Sequence, residues 1–146
     1  MCKKTLLVTH QYLPRWYTGT EQLVSKTASY FNKIFLNFEI LSAEPYTKKF
    51  FLNNYKRKVN NFRVNIMNYY SIENNYDLNS CNKKKYIKFL KEKKISSIIF
   101  FHTMRNQSVI YAAIELKIPY ILVLTDYFLV CPKYSLIRED NVLCVN

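Results

Sequence analysis

The stretch ISSIIFFHTMRNQSVIYAAIELKIPYILVL, residues 95–124, decides the fold of this chain. Residues 95–101 and 120–124 are almost uninterruptedly apolar, which is typical of strands that are buried on both faces. The apolar residues between them recur at the spacing of one helix face: Val109, Ala112, Ala113 and Leu116. The segment therefore predicts a strand, a helix and a second strand, the repeating unit of a parallel sheet.

The same alternation extends toward the amino terminus. Three further apolar runs predict strands, over residues 5–9, 38–41 and 62–67. One amphipathic helix is expected to begin near Thr20, because Thr18 and Glu21 have the spacing of a capping box, and a lysine-rich helix covers residues 83–94. We therefore expect an α/β fold: a Rossmann-like, doubly wound parallel sheet of about five strands, in a single domain over residues 1–146.

Composition bounds the function classes. The chain has 146 residues, of which 49% are hydrophobic and 16% aromatic, so it is long and apolar enough to bury a core. It contains one glycine. The G-x-G-x-x-G dinucleotide fingerprint and the G-x-x-x-x-G-K-[ST] phosphate loop each need more than one, which excludes ordinary NAD-linked dehydrogenases and P-loop NTPases.

The formal net charge is +12 and is unevenly distributed. Residues 46–94 carry 13 basic and 3 acidic side chains. This excess suits an anionic lipid surface, nucleic acid or a phosphorylated ligand, although lysines on solvated faces would give the same count without any partner. Residues 46–59 interleave lysines with aromatics. As a helix this stretch would lie on an anionic membrane; basic and aromatic residues together also suit nucleic acid, and the remaining alternative is a solvated loop.

The cysteines and the apolar runs point to a location. The four cysteines show no C-x-x-C spacing, so zinc-ribbon and thioredoxin-like sites are not expected: Cys2, Cys81, Cys131 and Cys144. No signal peptide is visible, and no segment has the ~20 apolar residues of a membrane span. We expect a cytoplasmic protein with reduced thiols, in peripheral contact with the inner face of the membrane.

Candidate functional residues follow the predicted strands, where α/β sheets bind ligands. His10 and His102 each follow a strand and are either ligand-binding or structural histidines. Gly19 precedes a helix that could receive a phosphate, or is a plain turn glycine. Asp126 could act as a base or hold a substrate hydroxyl, or it caps the next turn. No spacing of ligands predicts a metal site.

Two blocks of sequence resemble the amino-terminal domain of glycosyltransferase family 4. Thr-His-Gln-Tyr-Leu-Pro at residues 9–14, followed by Gly-Thr-Glu at 19–21, is similar to the family's T-H-x-Y-P-P and G-G-x-E elements. Residues 120–132 and 136–144 resemble its H-D-Y/F-W-x-x-C-P block and L-x-R-x-D-G-x-x-C continuation, including Cys131 and Cys144. The middle third matches only in the order of strands and helices.

The resemblance implies the acceptor-side half of a GT-B enzyme, which transfers a sugar from a nucleotide sugar with retention and without a metal or other cofactor. It assigns Gly19 and Thr20 to the donor diphosphate. It places the remaining site residues around the sugars, with Asp126 catalytic and the others substrate-binding: His10, Glu21, His102 and Thr125. Thr125 stands where the family has histidine, and Gly19 where many members have two glycines.

The expected partners follow from the same resemblance. They are a nucleotide sugar, a glycan or lipid-linked acceptor in cell-surface polysaccharide or lipopolysaccharide assembly, and a second polypeptide that carries the donor domain. That domain would follow residue 146, so the chain resembles a truncated or split enzyme that is inactive alone. No nucleic acid is expected. The alternative is a non-catalytic basic module that binds nucleic acid or an anionic membrane.

Overall fold

The computed structural model describes residues 3–13, 17–45, 55–59, 62–69 and 80–125 of the chain. Nine helices and strands lie in this part of the chain, in the order β1 (Lys4–Thr9), α1 (Gly19–Lys33), β2 (Phe38–Pro45), β3 (Tyr55–Val59), β4 (Phe62–Tyr69), α2 (Ser80–Glu92), β5 (Ile95–Phe100), α3 (Gln107–Glu115) and β6 (Tyr120–Leu122). No helix among the described residues is long and apolar enough to cross a membrane.

The six strands form one sheet in the order β3-β4-β2-β1-β5-β6. Every neighbouring pair from β4 to β6 is parallel, and β3 adds an antiparallel edge. Five parallel strands with β1 at the centre confirm the predicted Rossmann-like α/β fold. The sheet continues from β1 to β2 on one side and from β5 to β6 on the other.

The helices cover both faces of the sheet, because successive side chains of a strand point to opposite faces. Leu7 packs in a cluster with Val24 and Ala28 of α1. Its neighbours Leu6 and Val8 belong to a second cluster, built with apolar side chains of α2 and α3: Tyr86, Leu90, Val109, Ala112 and Ala113. The result is the three-layer arrangement that the interleaved pattern predicts.

Two predictions about individual segments are wrong. Residues 55–59 form the edge strand β3, so neither the helix nor the solvated loop considered for residues 46–59 holds there; residues 46–54 lie outside the described part. Lysines and arginine suit an edge strand because charge there discourages pairing with other chains. The second error concerns β6, whose three residues are all exposed although an apolar strand was expected to be buried. β6 is the edge strand on its side of the sheet.

Scarcity of glycine is visible in the backbone of the helix ends. Phe35, Lys94 and Lys117 follow α1, α2 and α3, and all three have left-handed φ angles, of 57°, 53° and 53°. Glycine is the usual residue at this position, because a side chain makes the conformation costly. The one glycine, Gly19, does not have a positive φ. The fold thus accepts strain at three helix ends and places its glycine elsewhere.

Candidate functional site

The carboxyl ends of β1 and β5 form the point where the chain reverses its direction across the sheet. From β1 the chain leads through α1 to β2, and from β5 it leads through α3 to β6 on the opposite side. The two loops therefore diverge and leave a crevice between them, which is where open α/β sheets bind ligands. Both predicted histidines lie at this crevice.

Strand register brings the two histidines together. Val8 of β1 pairs with Phe100 of β5, and each histidine follows its strand partner by two residues. The Phe101 N–H donates to the Val8 carbonyl over 2.8 Å, which extends the pairing toward the loops. The rings of His10 and His102 consequently meet with centroids 4.1 Å apart and planes inclined by 45°. Residues from distant parts of the sequence thus form one cluster.

His102 is held by its own loop. It is 5% exposed, and its Nδ1 accepts a hydrogen bond from the Met104 N–H over 3.0 Å. Because Nδ1 is an acceptor, a neutral His102 carries its proton on Nε2. The loop thereby fixes both the orientation and the tautomer of the ring.

His10 has an unusual environment for an imidazole. Burial, followed by the electrostatic influence of His102 and Arg105, lowers the pKa of His10 from 6.5 to about 3. His10 is therefore neutral near pH 7. Its Nδ1 is buried and has no hydrogen-bond partner among the residues that the structure describes. The ring can supply a hydrogen bond at this site but not a positive charge.

Arg105 is a site residue that the sequence reasoning did not single out. It lies close enough to His10 to lower the pKa of that imidazole. Its φ of 61° is left-handed, and the turn around it is closed by the Asn106 N–H, which donates to the Thr103 carbonyl over 2.9 Å. A non-glycine residue in this conformation marks strain that often accompanies function. In the sequence, Arg105 is a lone charge in a predicted loop, which carries no such signal.

Asn106 secures the same loop. Its Nδ2 donates to the carbonyls of His102 and Met104, both over 3.1 Å. Its Oδ1 is buried and, within the described ranges, accepts no hydrogen bond. An unsatisfied buried acceptor costs about 1–3 kcal/mol. Asn106 and His10 therefore place two such costs on the two loops of one crevice.

The amino end of α1 lies on the same edge of the sheet, and its capping box is confirmed. Glu21 is fully buried, and its Oε2 accepts the Thr18 N–H over 2.8 Å and also the Thr18 hydroxyl. Its Oε1 accepts nothing from the described residues. Glu21 thus holds the start of the helix, next to Gly19 and Thr20, and its predicted contact with substrate stays a prediction.

Gly19 shows neither of the two features that usually require a glycine, a left-handed φ or a close neighbour. As the first residue of α1 it needs no left-handed φ, and no described atom lies within 4 Å of the position a Cβ would take. Neither conformational freedom nor crowding by the described protein accounts for glycine there. What the position offers is open space at a helix amino end, next to Thr20.

Thr125 joins the second resembling block to the crevice. Its hydroxyl donates to the Phe101 carbonyl over 2.8 Å, beside His102. This bond commits the hydroxyl hydrogen to the backbone, so Thr125 cannot give that hydrogen to a sugar. Asp126, Cys131 and Cys144 lie outside the described residues, and their predicted roles stay predictions.

Two depressions in the described surface lie elsewhere. One of about 330 Å³ runs along the outer side of α1, and one of about 820 Å³ lies at the amino ends of β1 and β5, beside Lys4, Glu39 and Lys93. No group of three metal-ligating side chains occurs in the described ranges. We assign the site to the crevice on its chemistry, because strained, unsatisfied and electrostatically perturbed groups meet there.

No protein-family model matches this chain, and no curated protein is similar enough to match it.

Proposed function

We propose that this chain is the acceptor-side domain of a retaining glycosyltransferase that uses a nucleotide sugar and acts in the assembly of cell-surface polysaccharide or lipopolysaccharide. One observation carries the proposal. The two blocks that resemble glycosyltransferase family 4 come from opposite ends of the chain. They meet at the carboxyl edge of the sheet, where Thr9–His10 of the first block and Thr125 of the second lie on either side of His102.

The chemistry of the crevice suits a hydroxyl-bearing ligand. His10 is neutral, so it can form a hydrogen bond with a sugar hydroxyl without placing a charge in the site. A neutral His102 carries its proton on Nε2 and can donate it. A neutral His102 in contact with His10 would therefore offer one ligand two uncharged hydrogen-bonding groups.

Asp126 is proposed to complete the site. It follows Thr125, which is fixed to the end of β5, and a carboxylate at this position could hold the acceptor hydroxyl or take its proton. Gly19 and Thr20 are proposed to leave room for the donor diphosphate at the start of α1. The donor itself would be held by a second domain or polypeptide, so this chain alone is expected to show little or no transfer.

Glycan binding tests the proposal. Labelled protein applied to a printed glycan array should bind at least one class of glycan, and His10→Ala should weaken that binding about 10-fold or more, because a hydrogen bond in the site is lost. Lys33→Ala, at the far end of α1, is the matched control and should bind normally. An array without any bound glycan, or equal binding by His10→Ala and wild type, would contradict the proposal.

A second candidate function, a basic surface for an anionic membrane, is favoured by α2. Four lysines of α2 are exposed: Lys84, Lys85, Lys88 and Lys91. Lys88 pairs with Glu92 across 3.8 Å. A lysine near an anionic membrane contributes about 1 kcal/mol, so a few would give salt-sensitive binding.

Vesicle sedimentation tests this surface. Phosphatidylglycerol vesicles should retain the protein, and the triple variant Lys84→Gln, Lys85→Gln, Lys91→Gln should release it, while vesicles of neutral lipid should not bind either protein. Equal retention by neutral and anionic vesicles would exclude the membrane surface. Tight binding of random-sequence DNA at physiological salt would instead favour a nucleic-acid module.

A further inference from the structure

Arg105 brings a positive charge to the pair of histidines. Burial lowers the pKa of His10 most, and the influence of His102 and Arg105 lowers it further, so Arg105 is close enough to act on that ring. The ring contact of 4.1 Å joins the two histidines, and Arg105 lies in the loop three residues after His102. Glu21, a carboxylate on the same edge, is turned into the helix cap by Thr18.

We propose that His10, His102 and Arg105 bind an oxyanion, the phosphate group of a phosphorylated ligand. The inference rests on the proposed function in one respect, since it makes the acceptor a phosphate-bearing glycan or glycolipid. A guanidinium has five N–H donors, so Arg105 can keep an internal partner and still present a fork to phosphate oxygens. A neutral His102 would add its Nε2 N–H as a further donor.

The backbone around Arg105 supports a built site. A left-handed φ of 61° at an arginine costs stability that glycine or asparagine would avoid. The loop nevertheless holds this conformation with hydrogen bonds from Asn106 to Thr103, His102 and Met104. A surface arginine in an unstrained turn would need none of this support. A need for the guanidinium at the crevice would explain why an arginine stands at this left-handed position.

The two histidines make the experiment direct, because they are the only ones in the chain. Inorganic phosphate is titrated at pH 7 while the ring signals of His10 and His102 are followed by NMR at constant ionic strength. Both rings should shift along one saturable curve. Arg105→Asn, which tolerates a left-handed φ, should weaken the binding about 10-fold, the loss of one charge-assisted hydrogen bond.

Three further variants keep the result interpretable. Arg105→Gly removes the guanidinium without backbone strain and serves if Arg105→Asn does not fold. Arg105→Lys retains the charge and should lose less affinity than Arg105→Asn. Lys33→Gln removes a charge at the far end of α1 and should leave the curve unchanged, which separates a site from the general attraction of a chain of net charge +12.

A competition experiment distinguishes a lipid phosphate from a soluble phosphate as the ligand. Vesicles containing phosphatidic acid, compared with neutral vesicles, should compete with inorganic phosphate if the ligand is a lipid, whereas a hexose 1-phosphate should compete if it is soluble. No saturable shift, or equal weakening by Arg105→Asn and Lys33→Gln, would overturn the oxyanion site. Glycan binding without any phosphate effect would leave the proposed function standing, and phosphate binding without glycan binding would remove that function alone.

Discussion

The two ends of the sheet differ in whether their buried polar groups have hydrogen-bond partners. At the amino ends, Glu39 binds Lys93 over 3.1 Å and Lys4 over 3.4 Å with one oxygen, and its other oxygen accepts from Asn65 over 2.7 Å. At the carboxyl ends, His10 and Asn106 keep buried polar atoms that no described residue satisfies, and Arg105 is strained. Cations occur at both edges, so the presence of positive charge alone does not distinguish them.

The difference indicates what each edge is for. Hydrogen bonds from Asn65 and Lys93, with the charges of Lys93 and Lys4, lower the pKa of Glu39 although burial acts to raise it. The charged carboxylate is thus stabilised within the fold. His10 is perturbed by burial and by like charge, which nothing described offsets. A network in which every polar group has a partner stabilises the fold, whereas buried polar groups without a partner are typical of ligand sites.

The largest expected effect is on the pH dependence of stability, through His10. The pKa of His10 is 6.5 in the unfolded chain and about 3 in the folded one. Below pH 6.5 the unfolded chain therefore binds a proton that the folded chain does not, and the free energy of unfolding decreases as the pH is lowered. The slope is about 1 kcal/mol per pH unit. His10→Gln should remove this share, measured by urea unfolding at pH 7, 5.5 and 4.5. If the free energy of unfolding changed with pH in the same way for both proteins, the pKa of His10 would not be lowered in the fold.

Glu39→Gln should destabilise the opposite edge by about 2 kcal/mol, because two half-buried lysines lose their carboxylate. Glu92→Gln, which breaks an exposed pair with Lys88, is the control and should cost under about 0.5 kcal/mol. Since the folded pKa of Glu39 lies below its ordinary 4.5, the gap between wild type and Glu39→Gln should persist above pH 4.5 and shrink as pH falls through the folded pKa. A gap independent of pH would refute the charge-based account.

Glycine substitutions at left-handed positions should separate strain for structure from strain for function. Lys117→Gly and Arg105→Gly should each raise stability by about 1 kcal/mol, because both relieve a positive φ. Only Arg105→Gly should weaken phosphate binding, by about 10-fold. Thermal unfolding and the NMR titration check the pair; destabilisation by both variants would show that these side chains make contacts worth more than the strain.

The smallest effect is expected at Gly19. Gly19→Ala should leave stability unchanged or raise it by about 0.5 kcal/mol, because the position is helical and open. Thermal unfolding measures this directly. A clear loss of stability would mean that the glycine is needed for the fold after all.

The central fold was predictable because its signal is local and strong. Apolar runs at residues 5–9 and 95–101 and the periodic faces of α1 and α3 are set by burial, which dominates the energetics. The capping box at Thr18 and Glu21 was predictable for the same reason, since it depends on a spacing of three residues. The antiparallel pairing of β3 with β4 was missed, because the lysines and aromatics of residues 46–59 suggested a helix or a loop there.

The site was only partly predictable, because it depends on contacts between distant residues. Strand-end position picked out His10 and His102, but their 4.1 Å contact follows from the register of β1 with β5, which no local pattern encodes. Arg105 was missed because its importance lies in a backbone angle and a neighbour. The Glu39 network was missed because its partners come from β1, β4 and the turn between α2 and β5.

Ligand mapping by ¹H–¹⁵N NMR tests the central claim, that the carboxyl edge binds ligand and the amino edge serves the fold. Inorganic phosphate, or the glycan that binds best on the array, is added to the uniformly labelled chain. We predict saturable shifts of the amides at residues 9–12, 102–106 and 125, with no change at residues 37–39 and 93–96. Shifts centred on Lys4, Glu39 and Lys93 would contradict the account and move the binding site to the opposite end of the sheet.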